Sequence, residues 1–124
     1  MNIPPIFPLL AQSPDVTNLI SNPDGTIRAF RFGLADEGTE MPYVVWRNIS
    51  GTSDNNIDDR PNGDQVVLQI DVYGVDDEIV DKLAEAVRYA IELDCNVISY
   101  RDIDQDPITA DYHIGFDVMW LLAR

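Results

Sequence analysis

Between Gln65 and Glu92 the hydrophobic period of the chain changes once, and that change restricts the possible folds most. Across residues 65–74, Val66, Leu68, Ile70 and Val72 alternate with Val67, Gln69, Asp71 and Tyr73. A period of two sets these groups on opposite faces of a strand. Past Gly74 the spacing lengthens. Ile79, Val80, Leu83, Ala84, Val87, Ala90 and Ile91 form one broad stripe, with Asp81, Lys82, Glu85, Arg88 and Glu92 mostly on the other side. That is the pattern of an amphipathic helix of about four turns or more. Asp76, Asp77 and Glu78 stand where its positive dipole end favours acids. A strand feeding at once into a one-sided helix predicts a sheet with a helix laid on it.

The remaining segments fit that plan. Pro4 and Pro5 ahead of Ile6, Phe7, Leu9 and Leu10 predict a short helical turn. Ser13 can cap the next helix, Pro14 suits its first position and Asp15 its dipole. Val16, Leu19 and Ile20 give that helix an apolar face, and residues 22–25 (Asn-Pro-Asp-Gly) stop it. Strands are expected at residues 26–32, 43–50, 96–102 and 112–122. In the last, Tyr112, Ile114, Phe116, Val118, Trp120 and Leu122 are in phase, which makes Trp120 a core residue. Trp46 shares its phase with Val44 but also with Asn48 and Ser50, so it suits a core or a subunit contact. Residues 33–40 and 51–64 read as polar loops, the second long enough to be functional or mobile. Residues 104–110 read as a turn. The expected fold is α+β with two layers. A mixed, mainly antiparallel sheet of about five strands (β-β-β-α-β-β) carries the long amphipathic helix and a short N-terminal helical segment. No repeat or linker divides the chain, so residues 1–124 are expected to form one domain.

Charge narrows the function. Twenty-two acids face eight bases, a net charge of −14. Gripping nucleic acid requires clustered Lys and Arg, whereas these eight are scattered. An anionic membrane surface would repel the chain, and no apolar run approaches the ~18 residues that span a bilayer. The apolar stretch at residues 3–11 lacks a basic flank and contains Pro4, Pro5 and Pro8, unlike a signal peptide. The acids suit solubility, or a surface that faces DNA without adhering to it. The single Cys95 excludes a disulfide framework and reads as a small core residue.

Residues that could carry chemistry are few. His113 is the one histidine, and its phase opposes Tyr112, Ile114 and Phe116, as a half-exposed strand residue would. No nucleophile elbow accompanies it, one His and one Cys cannot make a zinc site, and no Gly-rich phosphate loop occurs. Asp102, Asp104 and Asp106 alternate as calcium ligands can. However, Pro107 stands where such a loop wants Gly, and His113 where it wants Glu. A solvated acidic turn accounts for the three acids more simply. No catalytic, cofactor-binding or metal-binding residue is assigned, no cofactor is expected, and the chain is not read as an enzyme.

Several stretches, in order, resemble the tail completion family of long-tailed phages, which includes tail terminator and head–tail joining proteins. They are residues 3–10 (Ile-Pro-Pro-Ile-Phe-Pro-Leu-Leu), 41–46 (Met-Pro-Tyr-Val-Val-Trp) and 68–73 (Leu-Gln-Ile-Asp-Val-Tyr) with the helix that follows, and the closing set Tyr112, Phe116, Asp117, Val118 and Trp120. His113 departs from the pattern, where a basic residue such as Arg is expected. The resemblance implies a structural virion protein, made in the host cytoplasm and placed in the tail or neck. It implies a homo-oligomeric ring, of six subunits, on the head-proximal end of the tail. Its partners would be the tail tube protein and the head connector, with DNA passing through the lumen unbound and no membrane involved. Trp and Arg often dominate subunit contacts. The residues singled out for contact are Trp46, Ile57, Arg60, Arg101 and His113, Ile57 and Arg60 being the apolar and basic residues of the 51–64 loop. The alternatives are a monomeric acidic binding or DNA-mimic module, and a small hydrolase or calcium-binding protein using Asp102, Asp104 and Asp106.

Overall fold

The computed structural model describes residues 3–32, 35, 38–53 and 63–123. The elements follow in the order α1 (Ile6–Ala11), α2 (Pro14–Ile20), β1 (Ala29–Arg31), β2 (Tyr43–Ser53), β3 (Gly63–Gly74), α3 (Asp77–Ile91), β4 (Asn96–Tyr100), β5 (Asp104–Gln105) and β6 (Tyr112–Ala123). The sheet runs β1-β2-β3-β6-β4, with β5 also paired to β6. The β1–β2 pair is parallel and every other pair antiparallel, so the sheet is mixed and mainly antiparallel. Among the described residues no helix is long and apolar enough to cross a membrane.

One face of the sheet meets the helices. Leu68, Ile70 and Val72 from β3 and Phe116, Val118 and Trp120 from β6 join Val44 and Trp46 from β2. Against them pack Val80, Leu83, Val87 and Ile91 of α3, Ile6 and Leu10 of α1, and Val16 and Ile20 of α2. Removing such side chains from water stabilises the fold by about 1.5–3 kcal/mol each. The helix starts work as the sequence implies. Ser13 Oγ accepts from Val16 N at 3.4 Å and Pro14 opens α2, while Asp76 Oδ1 accepts from Glu78 N at 2.9 Å to cap α3.

The structure corrects several boundaries. Among the described residues the sheet has six strands rather than about five, and the expected N-terminal turn and the helix after Ser13 are the short helices α1 and α2. β5 falls inside the expected 104–110 turn, where Asp104 pairs with His113 and Gln105 with Tyr112. The expected loop at 51–64 is partly strand. Gly51, Thr52 and Ser53 pair with Val66, Gln65 and Asp64 in the continuing β2–β3 ladder. Ile57 and Arg60 lie outside the described residues.

β1 is three residues, not the seven expected at 26–32, because Arg28 turns inward. Its side chain is 7% exposed. Nε donates to Pro42 O at 2.9 Å, Nη1 to Ser21 O at 3.1 Å and Asn22 Oδ1 at 3.0 Å, and Nη2 to Leu19 O at 3.1 Å. The guanidinium thus satisfies carbonyls at the open end of α2 and ties that helix to the start of β2. At the other end of β1, Phe32 takes a left-handed backbone (φ 71°) and ends the strand.

Candidate interaction surface

The helices leave the other face of the sheet open, and strand register fixes what shares each row. Tyr43, Tyr73, His113 and Asp104 form one row across β2, β3, β6 and β5. Val45, Asp71 and Gly115 form the next, with Phe30 of β1 beside Val45. Arg47, Gln69, Asp117 and Ser99 form the third.

The first row carries a ladder of rings, which Phe30 extends from the neighbouring row. Centroid distances are 6.4 Å for Phe30–Tyr43, 5.2 Å for Tyr43–Tyr73 and 4.6 Å for Tyr73–His113, the last pair only 11° from parallel. Burial pushes both tyrosine hydroxyls above their ordinary range, with Asp111 adding to the effect at Tyr43 and Asp71 at Tyr73.

Asp71 is the hub of the polar rows. Its residue is only 6% exposed although it lies on the open face. His113 Nε2 sits 2.8 Å from Asp71 Oδ1, and Arg101 Nη2 3.9 Å from the same oxygen. Gln69 Nε2 donates to Asp71 Oδ2 at 3.1 Å, and Arg47 Nη2 to Gln69 Oε1 at 3.1 Å. Arg101 Nη2 also lies 3.4 Å from Asp117 Oδ1, whose other oxygen accepts from Ser99 Oγ at 3.0 Å. A buried carboxylate is costly unless partnered in this way. The network depends on Gly115. A Cβ there would lie 2.5 Å from Arg101 Nη2 and 2.6 Å from Asp71 Oδ1, so any larger residue would push the arginine off the carboxylate.

The paired Asp71 and His113 have the geometry of an acid orienting a base, but among the described residues no nucleophile is placed to complete it. Ser99, the serine of the network, donates to Asp117 instead. An open cleft of ≈ 380 Å³ beside the ladder is lined by Tyr43, Tyr73, His113, Asp104, Asp106 and Asp111 among others. Its acids are largely engaged with their own backbone. Asp106 Oδ1 accepts from Ile108 N and Thr109 N at 2.8 and 3.1 Å, and those bonds, that of Thr109 foremost, hold its carboxyl below the usual carboxylate range. Asp104 Oδ1 accepts from Gln105 N at 2.9 Å. Among the described residues no group of three or more His, Cys, Asp or Glu is placed to hold a metal ion.

Of the residues singled out from the sequence, Arg101 and His113 come together on one oxygen of Asp71. Trp46 lies on the opposite, helix-covered face, 6% exposed, with its ring 6.4 Å from that of Phe7. The residues that sequence reasoning missed are Asp71 and Asp117, both inside the stretches that carry the family resemblance. Their partners explain the His113 position, where a base of either type faces a carboxylate.

The sheet edges complete the surface. β4 is the outer strand on one side. On the other, β1 covers β2 only at Val44, Val45 and Trp46, so among the described residues no strand pairs with the outer side of β2 from Arg47 onward. Each edge carries a bulge, where one extra residue has no partner across the ladder. In β2 it is Ile49 and in β4 it is Ile98. These isoleucines are 45% and 51% exposed.

Comparison with known families gives a match over residues 4–123 to the family described as Tail completion protein gp17. No curated protein matches the chain.

Proposed function

The chain belongs to the tail completion protein family of phages, and from that premise we propose that copies of it close into a ring of six on the head-proximal end of the tail tube. The ring ends tube growth and joins the tail to the head connector. As a structural component of the virion tail it carries out no reaction, and residues 1–124 act as one domain. The observation that carries this reading is the family match, which runs through nearly every element of the fold.

The distribution of charge supports it. Capping a tube requires that one face of the ring fit the tube while the other refuse a further copy. At one end of the sheet stand Glu40, Asp76, Asp77, Glu78, Asp104, Asp106 and Asp111, and segments 38–43, 74–78 and 104–112 contain no Lys or Arg. The nearby Arg28 is buried against Pro42 O. Two such ends facing each other repel within a Debye length of about 8 Å at physiological salt. Acids toward the lumen let DNA pass without adhering. On the open face, Arg101 and His113 are held ready for contact by Asp71, and Ile57 and Arg60 are proposed to reach a neighbouring subunit or the tube.

The test is a phage lacking this protein, examined by electron microscopy. The expected result is tails of irregular length that fail to join heads, restored when purified protein is added. Tails of normal length, normally joined, would sink the proposal.

A further inference from the structure

Resting on the ring reading, we infer that each subunit meets the next edge to edge, the outer side of β2 at Arg47–Ser53 in one copy lying against β4 of its neighbour. Three observations carry the pairing.

The first is orientation. Strand direction alternates from β2 through β3 and β6 to β4, because all three pairs are antiparallel. Rotation about an axis along the strands leaves strand direction unchanged. The neighbour's β4 therefore meets β2 antiparallel and continues the alternation between subunits. At equal height Asn96–Ser99 of the neighbour's β4 faces Arg47–Ser50, the part of β2 just past the cover of β1.

The second is height. Ile49 lies between the residues paired with Leu68 and Val67, and Ile98 between those paired with Val118 and Asp117. Leu68 and Val118 are themselves partners. The two bulged isoleucines thus lie on either side of one row, Ile49 toward the Val67–Met119 pair and Ile98 toward the Gln69–Asp117 pair, about one residue apart in height on opposite edges. A contact between unlike surfaces closes into a ring only when it carries no rise along the axis; with a rise it winds into a filament. The strands themselves meet that condition, since Asn96, Val97 and Ser99 of β4 share their rows with Ser50, Asn48 and Arg47 of β2. Bulges also deter a flat foreign strand from adding to the edge, while presenting an apolar side chain outward.

The third is charge. Residues 41–53 contain Arg47 and no acid, in a chain of net charge −14. Along the β4 side stand Asp94, Asp102, Asp104 and Asp106, against Arg101 and Arg88, whose guanidinium lies 5.9 Å from the ring centroid of Tyr100. One edge is weakly positive and the other negative, so β2 attracts β4 and like edges repel.

Cysteine cross-linking tests the contact. In a Cys95→Ala background, Ile49→Cys and Ile98→Cys are made singly and together. The full chain is oxidised both free and on tail tubes, and native mass spectrometry gives the assembly size. A mixture of the two single variants should give a linked dimer, the doubly substituted chain a ladder ending at the ring size, and neither single variant alone any link. Dimers from Ile98→Cys alone would overturn the inference in favour of a two-fold β4–β4 contact. Assemblies of ring mass without a link in the mixture would overturn the edge contact and leave the ring standing. A monomer in both settings, unlinked, would overturn both. Arg47→Glu, at an exposed position, should weaken assembly about tenfold; unchanged assembly would refute the charge pairing.

Discussion

Arg28→Met isolates the value of a buried cation that bonds only neutral groups. Methionine fills the path of the aliphatic stem, so packing is largely kept. What goes is four hydrogen bonds of 2.9–3.1 Å, to the carbonyls of Leu19, Ser21 and Pro42 and to Asn22 Oδ1. Each acceptor left away from water costs about 1–3 kcal/mol, while the carbonyl of the exposed Ser21 turns to water instead. The guanidinium's own desolvation, about the same size as one or two of these, is regained when it is removed. The net loss is roughly 3–5 kcal/mol, a large share of the 5–15 kcal/mol typical of a domain. For a chain of this size that lowers Tm by roughly 10–20 °C. Arg28→Lys keeps the charge but lacks the planar fork that reaches several carbonyls, so it should cost about half as much. Urea unfolding followed by circular dichroism, with an unchanged m-value, gives the difference directly. A loss below about 1 kcal/mol for Arg28→Met would show that water replaces the guanidinium at little cost, and that Arg28 does not tie α2 to β2.

Three further outcomes are expected. Gly115→Ala should cost about 1–3 kcal/mol and separate Arg101 from Asp71; His113 is the single histidine, so its ring resonances report the change, and an unmoved signal would contradict the packing around Gly115. Trp46→Ala should destabilise by about 3–5 kcal/mol in denaturant titration, as for a buried aromatic, whereas a loss under 1 kcal/mol would indicate that Trp46 is dispensable to the core. Burial, with Asp94 and then Glu92 adding to it, raises the Cys95 thiol from 9.0 to about 11. Its folded value is above its unfolded one, so the stabilisation is fully present below about pH 9 and is lost as pH rises through about 11. Alkylation of the native chain at pH 8 should therefore be much slower than in urea, and equal rates would refute the burial.

The sequence made legible whatever depends on neighbours along the chain. The alternation in β3 and β6, the stripe of α3, the cap at Ser13 and the acids at the start of α3 all follow from local spacing, and the structure shows each. What depends on register was hidden. Asp71 and His113 are 42 residues apart, and only the β3–β6 pairing sets Asp71 opposite Gly115, leaving room for Arg101. Trp46 shows the same limit on a smaller scale. Alternation carried through Asn48 and Ser50 gives a mixed face, but the bulge at Ile49 interrupts it, and the buried run of β2 ends at Trp46. Bulges have no dependable signature in a single sequence, so both edge isoleucines emerge only from the paired strands.

Net charge alone does not separate a ring subunit from a monomeric acidic module that imitates DNA; the placement of the charge is what supports the proposed ring. A mimic needs carboxylates spread along a continuous surface, whereas 22 acids among 124 residues leave 41–53 without one. That gap coincides with the outer side of β2, where the described structure has no strand partner past Trp46. A monomer would gain from acids there, since charged side chains on an open edge deter unwanted pairing. Their absence on one edge, with acids gathered beside the other and at one end of the sheet, suits an edge that must accept a copy of itself and an end that must refuse one. If the module reading held instead, placing Asp at Ile49 would leave solubility and mass unchanged; in a ring the same substitution sets a carboxylate against the acidic β4 side and should release subunits.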